Sequence, residues 1–163
     1  MRKFEKISEK QFKNDFKDSD VEYDELQLPE RKTSKSAGYD FYLPYDITIK
    51  PNQTIIIPTG IKVMMNDDEF LGIYIRGSVG FKYNIRMCNQ VAIIDADYFN
   101  NKTNEGHMFI RIQNEGDKEV EFKKGDRIVQ GIFQKYLLVN NDKSSNNRSG
   151  GFGSTNKGDG INE

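Results

Sequence analysis

The sequence predicts an all-β protein, built as a sandwich, jelly roll or barrel, with one short helix at its N-terminus. Three observations carry this. Tyr39-Asp40-Phe41-Tyr42-Leu43 alternates, and Ile47, Ile49, Ile55, Ile57, Ile61 and Val63 then recur at even spacing, the period of half-buried strands. Pro44, Pro51-Asn52, Pro58-Thr59-Gly60 and Asn66-Asp67-Asp68 interrupt them as turns. Further short apolar runs at 70–76, 85–89, 91–95, 107–113, 118–122 and 127–139 follow. Many short strands divided by turn residues are the mark of closed or stacked antiparallel sheets.

The elements follow in chain order. Phe4, Ile7, Phe12 and Phe16 fall near one face among Glu and Lys residues and predict a helix over 4–16, inside an N-terminal segment of 1–20. Residues 1–139 then form one β domain, with no internal repeat and no long linker. Residues 140–150, Asn-Asn-Asp-Lys-Ser-Ser-Asn-Asn-Arg-Ser-Gly, offer nothing apolar to bury, which predicts a flexible tail over 140–163. A lone aromatic, Phe152, stands among the glycines of that tail.

Composition excludes several classes. A chain of 163 residues suits one domain and buries roughly 70% of its unfolded surface. Lys+Arg is 24 against Asp+Glu 25, so duplex nucleic acid, which selects strongly basic domains, is not the expected partner. One cysteine, Cys88, forbids an intrachain disulfide and reads as a small core residue. One histidine, His107, forbids a two-His metal site, so any metal would be a hard cation held by oxygen. No apolar run reaches membrane-spanning length and no apolar leader follows Met1, so the expected place is the cytoplasm, away from membranes.

Two segments carry chemistry on their own terms. Arg76-Gly77-Ser78-Val79-Gly80 closes a strand in a glycine-rich turn; its backbone N–H groups, Arg and Ser suit phosphate oxygens, although a structural turn would read the same way. Asp95 closes the apolar run Val91-Ala92-Ile93-Ile94. A carboxylate held there, partly desolvated, suits a general base that activates water; a turn-capping Asp is the plainer alternative.

Five segments in one order carry a resemblance: Ser36-Ala37-Gly38-Tyr39-Asp40, Arg76 to Gly80, Asn89 through Ile94-Asp95-Ala96-Asp97-Tyr98, Gly125-Asp126-Arg127-Ile128-Val129-Gln130, and Arg148 through Gly151-Phe152-Gly153-Ser154-Thr155. The chain resembles the trimeric dUTPase family over about residues 28–156. Its long Asn/Glu-rich segment after Tyr98 is most similar to the low-GC Gram-positive bacterial and phage branch. The resemblance implies a distorted jelly roll of the β-clip kind, a homotrimer, and Mg²⁺-assisted hydrolysis of dUTP to dUMP and pyrophosphate. It makes Asp95 the catalytic base. Asn89, Tyr98 and Phe152 take uracil and deoxyribose. Arg76, Gly77, Ser78, Gln130, Arg148, Gly153, Ser154 and Thr155 take the phosphates. Asp40 holds waters of the metal.

The family has Ser directly after the Arg of its second motif, where this chain has Gly77 followed by Ser78. In the family, three chains share each site: Asp40, Arg76 and Gln130 from one, Asn89 and Asp95 on a tight hairpin from a second, and the tail from a third. Asp126 and Arg127 read as an ion pair with each other. Residues 101–106 carry no evident chemistry, and His107 reads as structural. The rivals are a dCTP deaminase-like member of the same superfamily, which would need a Glu that this chain does not have between residues 77 and 98, and a dUTPase scaffold that binds a regulatory protein, a partner to expect if the source is a phage.

Overall fold

The computed structural model describes residues 1–144, 150 and 151. Its strands are β1 (Lys3–Lys6), β2 (Tyr39–Tyr42), β3 (Ile47–Ile49), β4 (Thr54–Pro58), β5 (Ile61–Met64), β6 (Glu69–Ile75), β7 (Ile85–Met87), β8 (Ala92–Asp95), β9 (Phe109–Asn114), β10 (Val120–Phe122) and β11 (Arg127–Lys135). Two short helices, α1 (Glu9–Asp15) and α2 (Gly77–Tyr83), accompany them. The strands pair antiparallel in the orders β2-β11-β6-β8 and β4-β9-β7, with two-stranded ladders β1-β5 and β10-β3. The mostly β architecture is the one the alternating pattern demands. Along β3, Ile47 and Ile49 point inward and Thr48 outward; along β9, Ile110 and Ile112 are buried and Arg111 is exposed. The main core gathers these isoleucines with Leu71, Ile73, Ile85, Met87, Met108, Ile128 and Val129. Among the described residues no helix is long and apolar enough to cross a membrane.

Four elements depart from the sequence pattern. The helix expected over 4–16 is two elements. Residues 3–6 extend as β1 along the edge of β5, with Phe4 opposite Val63, because Phe4 finds Tyr39, Phe41 and Phe133 rings 5.3–5.8 Å away. The helix starts only after Ser8, whose Oγ accepts the Gln11 N–H at 3.1 Å. An N-cap residue holds non-helical backbone, so the chain before it cannot continue the helix. Phe12 and Phe16 then stack at 4.5 Å in a second small core with Ile7 and Leu26.

The glycine-rich turn after Arg76 is the opening of α2, with Arg76 as its N-cap. The run 127–139 ends as a strand at Lys135, beyond which Leu137 is 97% exposed. Finally, the segment before Asp95 is not a paired hairpin. β7 pairs with β9 and β8 with β6, so the turn 88–91 steps from one sheet to another, with Gln90 at φ +59°.

Candidate active site

The site residues fall into two groups. In the first, β11 lies between β2 and β6 and brings three segments to one end of a sheet. Asp40 on β2 is 6% exposed. Arg76 Nε stands 3.0 Å from Asp40 Oδ1, and Arg127 Nη1 stands 3.0 Å from Asp40 Oδ2. Arg76 Nη1 also donates to the Arg127 carbonyl at 3.0 Å. A register shift in the β11–β2 ladder between Arg127 and Val129 lets Arg127 turn toward Asp40, as a bulge re-aims a side chain. The expected Asp126–Arg127 pair is therefore corrected. Asp126 instead accepts the Lys123 N–H at 2.8 Å within its own turn, because neighbours entering a strand point to opposite faces.

Gln130 sits beside this cluster, opposite Asp40 on one side and Tyr74 on the other. A Cβ on Gly38 would lie 2.1 Å from Gln130 Oε1, so only glycine leaves the Gln room. Gly77 and Ser78 are exposed at the start of α2, and a side chain on Gly77 would meet open space. Glycine is thus no steric necessity at 77, and the hydroxyl of this segment stands one residue further on.

The second group surrounds β8. Asp95 closes that strand opposite Phe70 and is exposed, not half-desolvated, in a single chain. The next turn, Ala96–Tyr98, carries Tyr98 into the core at 6% exposure. Its hydroxyl donates to the His107 carbonyl at 3.0 Å and accepts from Asn104 Nδ2 at 2.8 Å. His107 is fully buried. Its Nε2 accepts the Gly60 N–H at 2.8 Å, which assigns the ring proton to Nδ1, 2.5 Å from Asp15 Oδ2 on α1. Burial pushes this imidazole below its ordinary pKa despite Asp15.

Asn89 is exposed on the turn 88–91, beside a cavity of about 650 Å³ lined by Ile56, Cys88, Asn89, Phe109 and Arg111.

The loop 101–106, which shows no chemistry in sequence, is a built cradle. Asn101 Oδ1 accepts from the Thr103 N–H, the Thr103 hydroxyl and the Asn104 N–H. With its proton given to Asn101, Thr103 Oγ1 presents lone pairs, and the Gly151 N–H donates to it at 2.7 Å. A Cβ on Gly151 would stand 2.9 Å from that oxygen. Gly150 and Gly151 are buried, and Gly151 lies against Thr103 and Asn104 of its own chain. Arg148, Phe152, Gly153, Ser154 and Thr155 lie outside the described residues.

The two groups do not meet within one chain. Asp95 faces Phe70 at the start of β6, while Arg76 follows the end of that strand. Six residues of extended chain span about 20 Å.

Among the described residues no group of three His, Cys, Asp or Glu could cage a metal. This donor set still fits a Mg²⁺ ion carried on a triphosphate, since such an ion keeps most of its waters. Each Asp40 oxygen takes one guanidinium contact and keeps a further acceptor site for a metal-bound water.

Fold and site together define a jelly-roll-type β protein with two arginines gathered on Asp40 at one end of a sheet and the Asp95 carboxylate at the other. A model of the dUTPase family matches residues 24–156. The chain is 42% identical over 132 residues to the deoxyuridine 5'-triphosphate nucleotidohydrolase of Lactococcus lactis, covering 80% of this chain and 88% of that one. It is 33% identical over 141 residues to the enzyme of the same description from Haemophilus ducreyi, covering 82% and 89%. Among solved structures it is similar to the dUTPase from Streptococcus mutans, at TM-score 0.69 and 35% identity, over 84% of this chain and 98% of that one. At 16% identity, the dUTPase of phage phi11 of S. aureus shares the fold, with TM-score 0.66 over 91% and 99% of the two chains. The chain belongs to the dUTPase family.

Proposed function

We propose that the protein hydrolyses dUTP to dUMP and pyrophosphate, lowering dUTP and supplying dUMP, in a homotrimer whose sites are shared between chains. The match over residues 24–156 to the dUTPase family carries the reaction. The separation of Asp95 from Arg76 along β6 supports the sharing, because one substrate cannot touch both from a single chain.

Arg76 and Gln130 of one chain grip the triphosphate, with Ser78 and the Gly77 N–H beside them. Asp95 of a second chain takes a proton from a water aligned on the α-phosphorus. The water oxygen bonds to that phosphorus, the bond from phosphorus to the α–β bridging oxygen breaks, and its electron pair leaves with pyrophosphate. Asp40 would hold waters of a Mg²⁺ ion, whose charge neutralises the leaving phosphates.

Uracil enters the cavity beside Asn89. The carboxamide offers a donor and an acceptor to the O4/N3–H edge, and cytosine would leave both unpaired. Tyr98 packs against the deoxyribose. Phe152 stacks on the base, worth about 1–3 kcal/mol without regard to which base it is. Arg148, Gly153, Ser154 and Thr155 cover the terminal phosphates, so the tail excludes water while the Asn89 turn supplies selectivity.

The test is pyrophosphate release from dUTP, with dCTP, dTTP and UTP as controls, with and without Mg²⁺. Release from dUTP alone, dependent on Mg²⁺, is the expected result. Equal turnover of dCTP or UTP, or ammonia release from dCTP, would overturn it.

A further inference from the structure

We propose that Arg127 is a positioning residue, which fixes the Arg76 guanidinium for phosphate by way of Asp40 and its own carbonyl. The proposal rests on the reading of Arg76 as a phosphate ligand. Arg76 has five N–H donors. Its Nη1 donates to the Arg127 carbonyl at 3.0 Å, and its Nε stands 3.0 Å from Asp40 Oδ1 in an ion pair. The other N–H groups lie on a plane that this bond and the ion pair hold still. The anchor itself needs anchoring. Asp40 is nearly buried, and Arg127 Nη1 occupies its other oxygen at 3.0 Å.

Arg127 thus meets Arg76 with its backbone and Asp40 with its side chain. Two guanidiniums against one carboxylate leave a surplus positive charge, although Arg127 spends its own on the carboxylate. Both guanidiniums have N–H groups beyond these contacts; Arg76 is the one that opens α2, next to Gly77 and Ser78. Nearby Glu30 faces Asp40 across a β-bridge and is itself held by Lys32 and Tyr42, so it does not compete for Arg76. The register shift that aims Arg127 lies in the same strand that places Gln130, so one distortion of β11 serves both phosphate-directed groups.

A positioning role differs from a direct contact in how it combines with loss of Arg76. The probes are a non-hydrolysable dUTP analogue, inorganic triphosphate and dUMP, measured by calorimetry on the full chain, with thermal melts to establish folding. R127M is expected to weaken analogue and triphosphate binding about 10-fold, the scale of one charge-assisted bond, and to leave dUMP binding unchanged. R76M should weaken them at least as much, and R76M/R127M no more than R76M alone, because Arg127 acts through Arg76. R127K keeps a cation against Asp40 and should restore most of the lost affinity; it also supplies the comparison if R127M does not fold. Additive losses in the double variant, an R127M that binds triphosphate as the wild type does, or an R127K as weak as R127M would each overturn the proposal. Inorganic triphosphate binding reports on it even if dUTP turnover fails, which separates this inference from the activity.

Discussion

Asp95 is placed by one strand and one turn. Ile94 is buried beside it and Phe70 faces it across the ladder, so its backbone is held while its carboxylate is exposed on the strand's outer face with Ile93. As the proposed base it would contribute about 10²–10⁴ in rate. D95N should therefore lower kcat by that order while leaving the affinity for a non-hydrolysable dUTP analogue within a few-fold, since the amide keeps the shape and loses the proton acceptor. Undiminished turnover in D95N would move the base elsewhere. At this scale the sequence showed the residue types, with Asp95, Arg76 and Asp40 all standing in recognisable segments. It did not show partners. Asp126 stands next to Arg127, yet Arg127 turns to Asp40, 87 residues away. Chain neighbours diverge on a strand, and only the sheet order brings β2 and β11 side by side.

At the scale of elements, α1 and the loop 101–106 form a frame behind Tyr98. Ser8 at the start of α1 donates to Glu105 at 2.5 Å, and Asp15 at its end receives the His107 proton. His107 stacks on Phe16 and lies against Phe109, with Glu105 as the other nearby acid. Its folded pKa lies below the unfolded value of 6.5, so the unfolded chain binds the extra proton first. Its stabilisation is full above pH 6.5 and is lost as pH falls below it. Thermal melts between pH 7.5 and 5 should show that decline, and H107Q, which removes the only histidine, should flatten it; an unchanged slope in H107Q would place the effect on other groups. Glu69 acts in a separate window, because Arg2 draws its pKa down to about 2.

The loop makes a second claim at this scale. T103V removes the acceptor for Gly151 and the hydroxyl that donates to Asn101, so kcat/KM for dUTP should fall about 2- to 10-fold, the worth of one hydrogen bond, with a small drop in Tm, and T103S should restore both. Unaltered kinetics would mean that the cradle does not serve the tail. Neither feature was legible beforehand. Ser8-x-x-Gln11 was the available signal for where α1 begins, but the Phe4–Phe16 spacing masked it. The asparagines and threonine of 101–104 look like solvent-facing loop residues until their hydrogen bonds are traced.

For the whole molecule, the decisive fact is geometric. The alternation of isoleucines was enough to predict the sheets, because burial on one face writes itself into sequence with period two. Which end of a sheet each functional residue occupies was not, because that depends on the order β2-β11-β6-β8. That order sets Asp40, Arg76, Arg127 and Gln130 at one end and Asp95 near the other, while Gly151 is held by Thr103 in the loop after Tyr98. If the proposed site uses both ends, another copy completes it, and a ring of identical chains would do so with the same contact repeated. This makes a direct test possible. D95N chains retain the arginine cluster and R76M chains retain the acid, and each variant alone should be nearly inactive. Refolded together in equal amounts, random trimers should place an intact cluster against an intact acid in about one quarter of their sites, and recover about that share of wild-type turnover. If both groups of each site came from one chain, every site in the mixture would carry one lesion or the other, and mixing would restore nothing.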